Sequence, residues 1–191
     1  AAQTDYASYN RTAGTTNTRG IQGAGIAASA ETTWTTAANS YTLNAATTLT
    51  ATRTITSLRY SGAAATLTLG TSNFGLVTYG ILNGGTGTLT IANGTAGTGV
   101  ITTPTGGDNT LFLIAGNAAI TLGSSTVAAN IADNGTAVNV VKSGSGVVTF
   151  GNSLAGSGAN TYTGVTTINS GILTSGSAVT ATFNGGAAGW L

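Results

Sequence analysis

Few side chains in this sequence can do chemistry, and they lie far apart. The 191 residues include four acids, five bases, and no His or Cys. Without imidazole or thiol groups, the chain lacks the usual general bases, thiol nucleophiles and transition-metal ligands. Asp5 and Glu31 are isolated, but Asp108 and Asp133 are 25 residues apart, so neighbouring turns of a repeat would stack them. A pair of carboxylates is the machinery of glycoside hydrolysis.

We interpret these two acids as turn residues, because each lies in a Gly- and Asn-rich segment, GGDN (106–109) or DNGT (133–136). Neither segment resembles the Gly-Gly-x-Gly-x-Asp repeat of calcium-binding solenoids, and calcium usually needs about six or more oxygens. The glycine clusters GTGTLT and GSGVVTFG are not followed by the Gly-Lys-Ser/Thr of a phosphate loop. The sequence therefore predicts no catalytic, cofactor-binding or metal-binding residues, and a protein that is not an enzyme.

Charge is scarce throughout the chain. Charged residues make up 5% of the sequence, against about 25% in ordinary soluble domains. The bases are Arg11, Arg19, Arg53, Arg59 and Lys142. They are too few and too scattered to neutralise a run of phosphates, so we expect no nucleic-acid partner. A nearly neutral surface also lacks like-charge repulsion. This favours self-association, as in a fibre or coat; the alternative is a neutral monomer kept soluble by hydroxyls, amides or attached sugars.

Two features of the sequence bear on the cellular compartment, the lack of Cys and the composition of the first residues. Without Cys there is neither a disulfide framework nor a thiolate metal site. The first ten residues show neither the basic nor the apolar region of a signal peptide, although their small residues would suit a chain whose signal had been removed. No apolar run approaches the roughly 18 residues that a membrane span needs. We therefore expect no membrane span.

Apolar residues alternate with Thr in five segments, which is the pattern of half-buried strands. The segments are TTLTA (47–51), ATLTLG (65–70), GTLTIAN (87–93), AAITLG (118–123) and GVVTFG (146–151). Their first inward residues are Leu49, Leu67, Leu89, Ile120 and Val148. The spacings between them are 18, 22, 31 and 28 residues, an irregular repeat in the range expected of solenoids.

Shorter apolar runs and Gly/Asn corners lie between these segments, so each turn would hold two or three short strands. The pattern predicts an all-β fold, a β-solenoid of parallel rungs spaced roughly 4.8 Å apart. An antiparallel sandwich is the alternative, but it does not account for the recurring segment or for the 30 Gly residues. Residues 1–40 carry no such segment and are predicted to be an irregular N-terminal cap or assembly arm. Residues 41–191 would form the solenoid body.

A longer motif begins in the last third of the chain: residues 140–173 read VVKSGSGVVTFGNSLAGSGANTYTGVTTINSGIL. This stretch resembles the autotransporter-associated β-strand repeat, also called the passenger-associated transport repeat. It departs from that pattern in a longer loop, FGNSLAGSGAN. The matching residues are Lys142, Gly144, Gly146, Gly158, Asn160, Thr161, Tyr162, Thr163, Gly164, Thr166, Thr167, Ile168, Asn169, Gly171 and Leu173. The resemblance implies a right-handed parallel β-helix exported to the cell surface or beyond, with no single activity attached.

Aromatic residues and Lys142 carry the remaining hypotheses. Trp34 and Trp190 lie near the two ends and are candidate assembly contacts. Together with Tyr41, Tyr60, Tyr79 and Tyr162 they could instead form a stripe that stacks on sugar rings. Lys142 is interpreted as a turn residue, although an internal cross-link to Asn would be open if an acid lay beside it. Asn-x-Thr sequons begin at Asn10, Asn93 and Asn134 and are interpreted as turns or glycosylation sites.

These observations predict a secreted structural protein. We expect a non-enzymatic solenoid subunit, extracellular or at the cell surface, that associates head-to-tail with copies of itself into a fibre or coat. The alternative is an adhesin or glycan-binding passenger domain with surface glycans as partners. A polysaccharide-active enzyme is the third class, and it is disfavoured by the shortage of acids and bases.

Overall fold

The structure is a computed structural model, which describes residues 7–10, 20–23, 26–70, 72–94, 98–123, 127, 129–151 and 160–175. Apart from one short 3-10 turn at Glu31–Thr33, the secondary structure in these ranges is all β. A hairpin of β1 (Ala7–Asn10) and β2 (Gly20–Gly23) is antiparallel. No helix within the described ranges is long and apolar enough to cross a membrane.

The other strands form three parallel sheets, each in chain order. Sheet I contains β3 (Ser40–Leu43), β6 (Ser57–Tyr60), β9 (Gly80–Asn83), β12 (Thr110–Ala115), β15 (Asn139–Ser143) and β17 (Thr166–Ile168). Sheet II contains β4 (Thr47–Thr48), β7 (Ala65–Thr68), β10 (Leu89–Ala92), β13 (Ile120–Leu122), β16 (Val147–Phe150) and β18 (Ile172–Ser175). Sheet III contains β5 (Arg53–Thr54), β8 (Leu76–Val77), β11 (Val100–Thr102) and β14 (Asn130–Ile131).

The chain visits sheets I, II and III in turn and then returns to sheet I; we call one such pass a rung. Each strand pairs in parallel with the strand of the same sheet in the next rung. A hairpin cannot produce this order, because strands joined by a tight turn pair antiparallel. The all-β prediction is confirmed, and the stacking of aligned parallel strands is consistent with the predicted solenoid rather than with a sandwich.

The core lies between the three sheets and is almost entirely aliphatic. Every second residue of a strand faces it, since successive side chains alternate across a strand. In sheet II, Leu67, Ile91, Leu122 and Phe150 lie side by side in successive rungs and are all buried. The recurring apolar residues thus stack on one another along the molecule.

The predicted alignment of the repeat is wrong by two residues in its first half. Leu89 pairs with Ala65, whereas Leu67 pairs with Ile91. From Leu89 onward the alignment is confirmed, because Leu89, Ile120 and Val148 are direct neighbours. A shift of two residues keeps the same face inward, so periodicity alone does not distinguish the two registers.

The segment before β3 packs on the first rung. Ala28 forms a parallel bridge with Thr42, and the Ser29 N–H donates to the Thr42 carbonyl at 3.0 Å. Trp34 is only 2% exposed, and its ring lies 5.8 Å from that of Tyr41. The division into an arm and a body stays a prediction, and residues 1–6 and 11–19 lie outside the described ranges.

Candidate functional site

The motif segment beginning at Asn160 lies directly on the preceding rung. The Asn160 side-chain oxygen accepts the Ile131 N–H at 2.8 Å. The Thr161 N–H donates to the Ile131 carbonyl, also at 2.8 Å. Because Ile131 belongs to β14, these bonds place the segment on sheet III, where the next strand of that sheet would lie.

Asp133 binds the same segment through both carboxylate oxygens. One oxygen accepts the N–H groups of Val138 at 2.8 Å and Thr163 at 3.0 Å. The other accepts the Thr163 hydroxyl at 2.7 Å. These bonds, above all that from the Val138 N–H, hold the pKa of Asp133 below its ordinary value, since donors to a carboxylate favour its charged form. The turn interpretation of Asp133 agrees with this geometry.

Stability should therefore depend on the protonation of Asp133. Because the pKa is lower in the folded state, the carboxylate contributes stability above its ordinary pKa of about 3.9 and loses it as the pH falls through the folded value. We expect urea unfolding midpoints to decline below about pH 4 for the native chain. This decline should be smaller for Asp133→Asn than for the control Asp108→Asn, which alters an exposed turn residue. Equal acid sensitivity of the two variants would contradict this role.

Neighbouring residues of the motif continue the contact. The Val165 N–H donates to the Asn139 side-chain oxygen at 2.9 Å. Gly164 approaches the backbone so closely that a Cβ there would lie 2.5 Å from the Val138 carbonyl carbon. The Tyr162 hydroxyl bonds to the Thr166 hydroxyl at 2.6 Å. The spacing of these motif residues is thus explained by the docking of one rung on the next.

Lys142 is buried within β15 rather than exposed at a turn, which corrects the sequence interpretation. Its side chain has no solvent exposure. The ammonium donates to the carbonyls of Ser143 at 2.8 Å, Gly144 at 2.6 Å and Ser170 at 2.9 Å. Burial lowers the pKa of Lys142. The hydrogen bonds join the corner of its own rung to that of the next, and they give no support to a cross-link, because all three acceptors are backbone carbonyls.

Other buried polar side chains serve the same corner, where the chain passes from sheet I to sheet II. The Asn83 amide donates to the carbonyls of Gly87 at 3.0 Å and Ala119 at 2.7 Å. Tyr60, which pairs with Asn83 in the sheet, donates its hydroxyl to the Ala63 carbonyl. Neither Asn83 nor this role of Tyr60 was predicted from the sequence. The sequence feature that would have indicated them is a polar residue at an inward position just before a Gly-rich corner.

Two motif glycines form the corner around the Lys142 ammonium. Gly144 has φ +78° and Gly171 has φ +74°, in the left-handed region that favours glycine. A Cβ on Gly144 would lie 2.7 Å from the Ala115 carbonyl carbon. A Cβ on Gly171 would lie 2.6 Å from the Lys142 Nζ. Both positions therefore exclude side chains by conformation and by space.

The remaining predicted residues are distributed between strands, core and segments outside the described ranges. Thr166, Thr167 and Ile168 form β17, and the Asn169 N–H donates to the Lys142 carbonyl at 2.9 Å. Leu173 pairs with Val148, and the Gly146 N–H donates to the Ala115 carbonyl at 2.9 Å. Gly158 and Trp190 lie outside the described residues.

The structure describes five of the six aromatic residues that could have formed a sugar-stacking stripe. Trp34 and Tyr60 are both buried in the core, while Tyr41 and Tyr162 pack partly buried against it. Trp34 and Tyr60 are therefore not accessible for stacking on sugars, whereas Trp190 lies outside the described residues. The Trp34 indole is covered by its own chain, and its assignment as an assembly contact stays a prediction.

The asparagine side chains of two sequons form hydrogen bonds within the fold. Asn93 is 4% exposed and donates its side-chain amide to the Gly99 carbonyl at 3.0 Å. The Asn134 amide reaches the Asn109 side-chain oxygen at 2.9 Å and the Thr103 carbonyl at 3.1 Å. These contacts favour the turn interpretation of both sequons over glycosylation. The side chain of Asn10 lies outside the described part of the chain.

Comparisons with known protein families, curated proteins and solved structures find no match to this chain. The resemblance to the autotransporter-associated repeat therefore stays a prediction. Within the ranges that the structure describes, no three or more His, Cys, Asp or Glu residues are grouped so that they could hold a metal ion.

Proposed function

We propose that this chain is a secreted, non-enzymatic structural protein, a right-handed β-solenoid that self-associates into an extracellular fibre or surface coat. The observation that carries the proposal is the stack of aligned parallel strands in three sheets. Each rung of such a stack buries its core against the next and pairs its strands with those of the next. Copies that stacked end to end would make the same kinds of interaction with one another.

The outer face of sheet II supports association by its lack of charge. The six strands of this sheet contain no Asp, Glu, Lys or Arg. One outward column consists of threonines in register across five rungs, namely Thr66, Thr90, Thr121, Thr149 and Thr174. The Thr149 and Thr174 hydroxyls are 2.9 Å apart. This neutral hydroxyl surface offers no like-charge repulsion to a neighbouring molecule.

A non-enzymatic role is supported by Asp133, Lys142 and Glu31, whose charged groups form hydrogen bonds or an ion pair within the fold. Asp133 accepts hydrogen bonds from Thr163 of the motif segment, and the buried Lys142 donates to backbone carbonyls. Glu31 lies 2.6 Å from Arg53 and accepts the Thr50 hydroxyl at 2.8 Å. Burial raises the pKa of Glu31, but its bonds to Arg53 and Thr50 outweigh burial and leave the pKa below its ordinary value. Each group holds two parts of the fold together.

An adhesin that binds glycans is the second candidate, and Phe112 favours it. This ring lies on β12 and is 43% exposed, beside Val141 of the next rung. Exposed aromatic rings are suited to stacking on sugars. Glycan-array binding by the isolated chain that is lost in Phe112→Ala would support this alternative.

Electron microscopy of native material tests the fibre proposal. We expect filaments or a coat in which an antibody against this chain labels the structure at regular intervals. The control is the same antibody blocked with purified protein. A chain found only as a monodisperse monomer, with no labelled filaments, would contradict the proposed function.

A further inference from the structure

The outer face of sheet I carries exposed apolar side chains beside polar ones. Of the large hydrophobic side chains that are exposed in the described ranges, two lie on this face, Phe112 at 43% and Val165 at 54%. Phe112 is in register with Val141 of the next rung, and Val141 is in register with Thr167 of the rung after it. Val141 is half-buried and Thr167 is exposed. We call these four residues, together with Asn139, the sheet I patch.

One face of the Phe112 ring is available for stacking. On the side of the preceding rung, the residue in register with Phe112 is Gly80, which is buried and has no side chain. The ring can therefore rest against the sheet over this glycine and keep its other face in solvent. The negative face of an aromatic ring attracts the weakly positive C–H groups that a sugar ring presents on its apolar side.

Asn139 supplies an oriented hydrogen-bond donor beside the ring. Its backbone pairs with Thr110, two residues before Phe112 on β12. Its side-chain oxygen accepts the Val165 N–H at 2.9 Å, and this bond fixes the carboxamide, whose NH2 group carries two donors. Among the described residues, the NH2 group has no hydrogen-bond acceptor. An aromatic platform and a fixed donor thus lie on the same surface, which is the combination that binds a sugar ring and one of its hydroxyls.

The charges around the patch distinguish between classes of glycan. Lys142 is the only charged residue in β12, β15 and β17, and its side chain is fully buried. Asp108, two residues before β12, is exposed. An anionic sugar needs a cation to offset the desolvation of its charge, and these three strands present none outward. The patch therefore fits a neutral glycan better than a sialylated or sulfated one.

We propose that the sheet I patch binds a neutral glycan, with one sugar ring stacked on Phe112 and a sugar hydroxyl accepting a hydrogen bond from the Asn139 NH2 group. The inference rests on the second candidate function and deepens it, because it names the site and the class of sugar. Val141 and Val165 contact the apolar edges of the glycan, and the Thr167 hydroxyl donates to it or accepts from it. The patch lies on the side of the stack, so a fibre would display it once per copy.

Binding of the full chain to an array of neutral and acidic glycans tests this site. We expect the native chain to bind neutral glycans, and Phe112→Ala to lower the affinity for the best of them at least about tenfold. Phe112→Tyr keeps the ring and should keep the binding. Asn139→Asp retains an oxygen for the Val165 N–H but loses the NH2 donors, so its affinity should fall about five- to tenfold. Thr121→Ala, on the outer face of sheet II, is the matched control and should bind as the native chain does.

The outcomes separate this site from both proposed functions. A native chain that binds no neutral glycan, or that prefers acidic ones, would overturn the site and leave the fibre intact. Glycan binding that persists in Phe112→Ala, with a native circular dichroism spectrum, would overturn the site but support an adhesin that binds elsewhere. If Phe112→Ala instead abolished filaments or dimers and left glycan binding unchanged, the patch would be a protein interface and the proposal would be wrong. Binding that depends on Phe112 in a chain that forms no filaments would support the site and contradict the fibre.

Discussion

Gly144→Ala should destabilise the fold by about 2 to 5 kcal/mol. The left-handed backbone at φ +78° costs an Ala about 1 to 2 kcal/mol. Steric overlap adds to this, because the new Cβ would lie 2.7 Å from the Ala115 carbonyl carbon. The Ala115 carbonyl also accepts the Gly146 N–H, so it cannot move without breaking the pairing of the two rungs.

Gly135→Ala is the matched control for this substitution. Gly135 also has a positive φ, +97°, but a Cβ there would meet no atom within 4 Å. Gly135→Ala should therefore lower the free energy of unfolding only by the cost of a left-handed backbone for Ala, about 1 to 2 kcal/mol. Urea unfolding of the two variants measures the difference. If Gly144→Ala and Gly135→Ala lost the same stability, the backbone at Gly144 would not be packed against Ala115 as described.

Lys142→Met should lower the free energy of unfolding by about 2 to 4 kcal/mol. Methionine fills similar volume but leaves the carbonyls of Ser143, Gly144 and Ser170 without their donor. A hydrogen bond to a charged donor contributes about 1.5 to 3 kcal/mol, and less here, because Ser143 and Gly144 are half-buried and Ser170 is exposed. Part of this loss is offset, because Met, unlike the Lys142 ammonium, has no charge whose burial costs free energy. The last rung should be affected most, because the bond to Ser170 is one of those that hold it.

The control for Lys142→Met is Thr121→Met, which places the same side chain on the outer face of β13 and should change stability by less than about 0.5 kcal/mol. Denaturation measures the global effect. Hydrogen exchange measures the local one, since the Asn169 N–H bonds to the Lys142 carbonyl and should lose protection. If Lys142→Met were as stable as the native chain and its Asn169 N–H were equally protected from exchange, Lys142 would not join the corners of the two rungs as proposed.

The strands and their inward faces were predictable from the sequence, whereas their register was not. Alternation of apolar residues with Thr identifies β7, β10, β13 and β16, because only a half-buried strand requires that period. The pairing of Leu67 with Ile91 rather than Leu89 depends on how many residues each corner uses. Corners contain Gly, Asn and Ser without a fixed period, so nothing local distinguishes registers that differ by two.

The buried polar corner was also beyond prediction from composition. A lone Lys beside glycines is normally exposed, and the Lys142 environment depends on the Ser170 carbonyl, which is 28 residues further along the chain. Asn83 likewise reaches Ala119, which is 36 residues away. These partners come together only after the rungs stack. The motif from Asn160 to Thr163 was recognisable as a unit, but its docking on Asp133 required the structure.

X-ray fibre diffraction from oriented native filaments tests most directly whether this chain builds a fibre by stacking its rungs. If copies join end to end, strands of every copy run across the filament axis. The account predicts a meridional reflection at about 4.8 Å, the spacing between paired strands. Filaments that give this reflection on the equator would contradict end-to-end stacking, and so would filaments that lack it altogether.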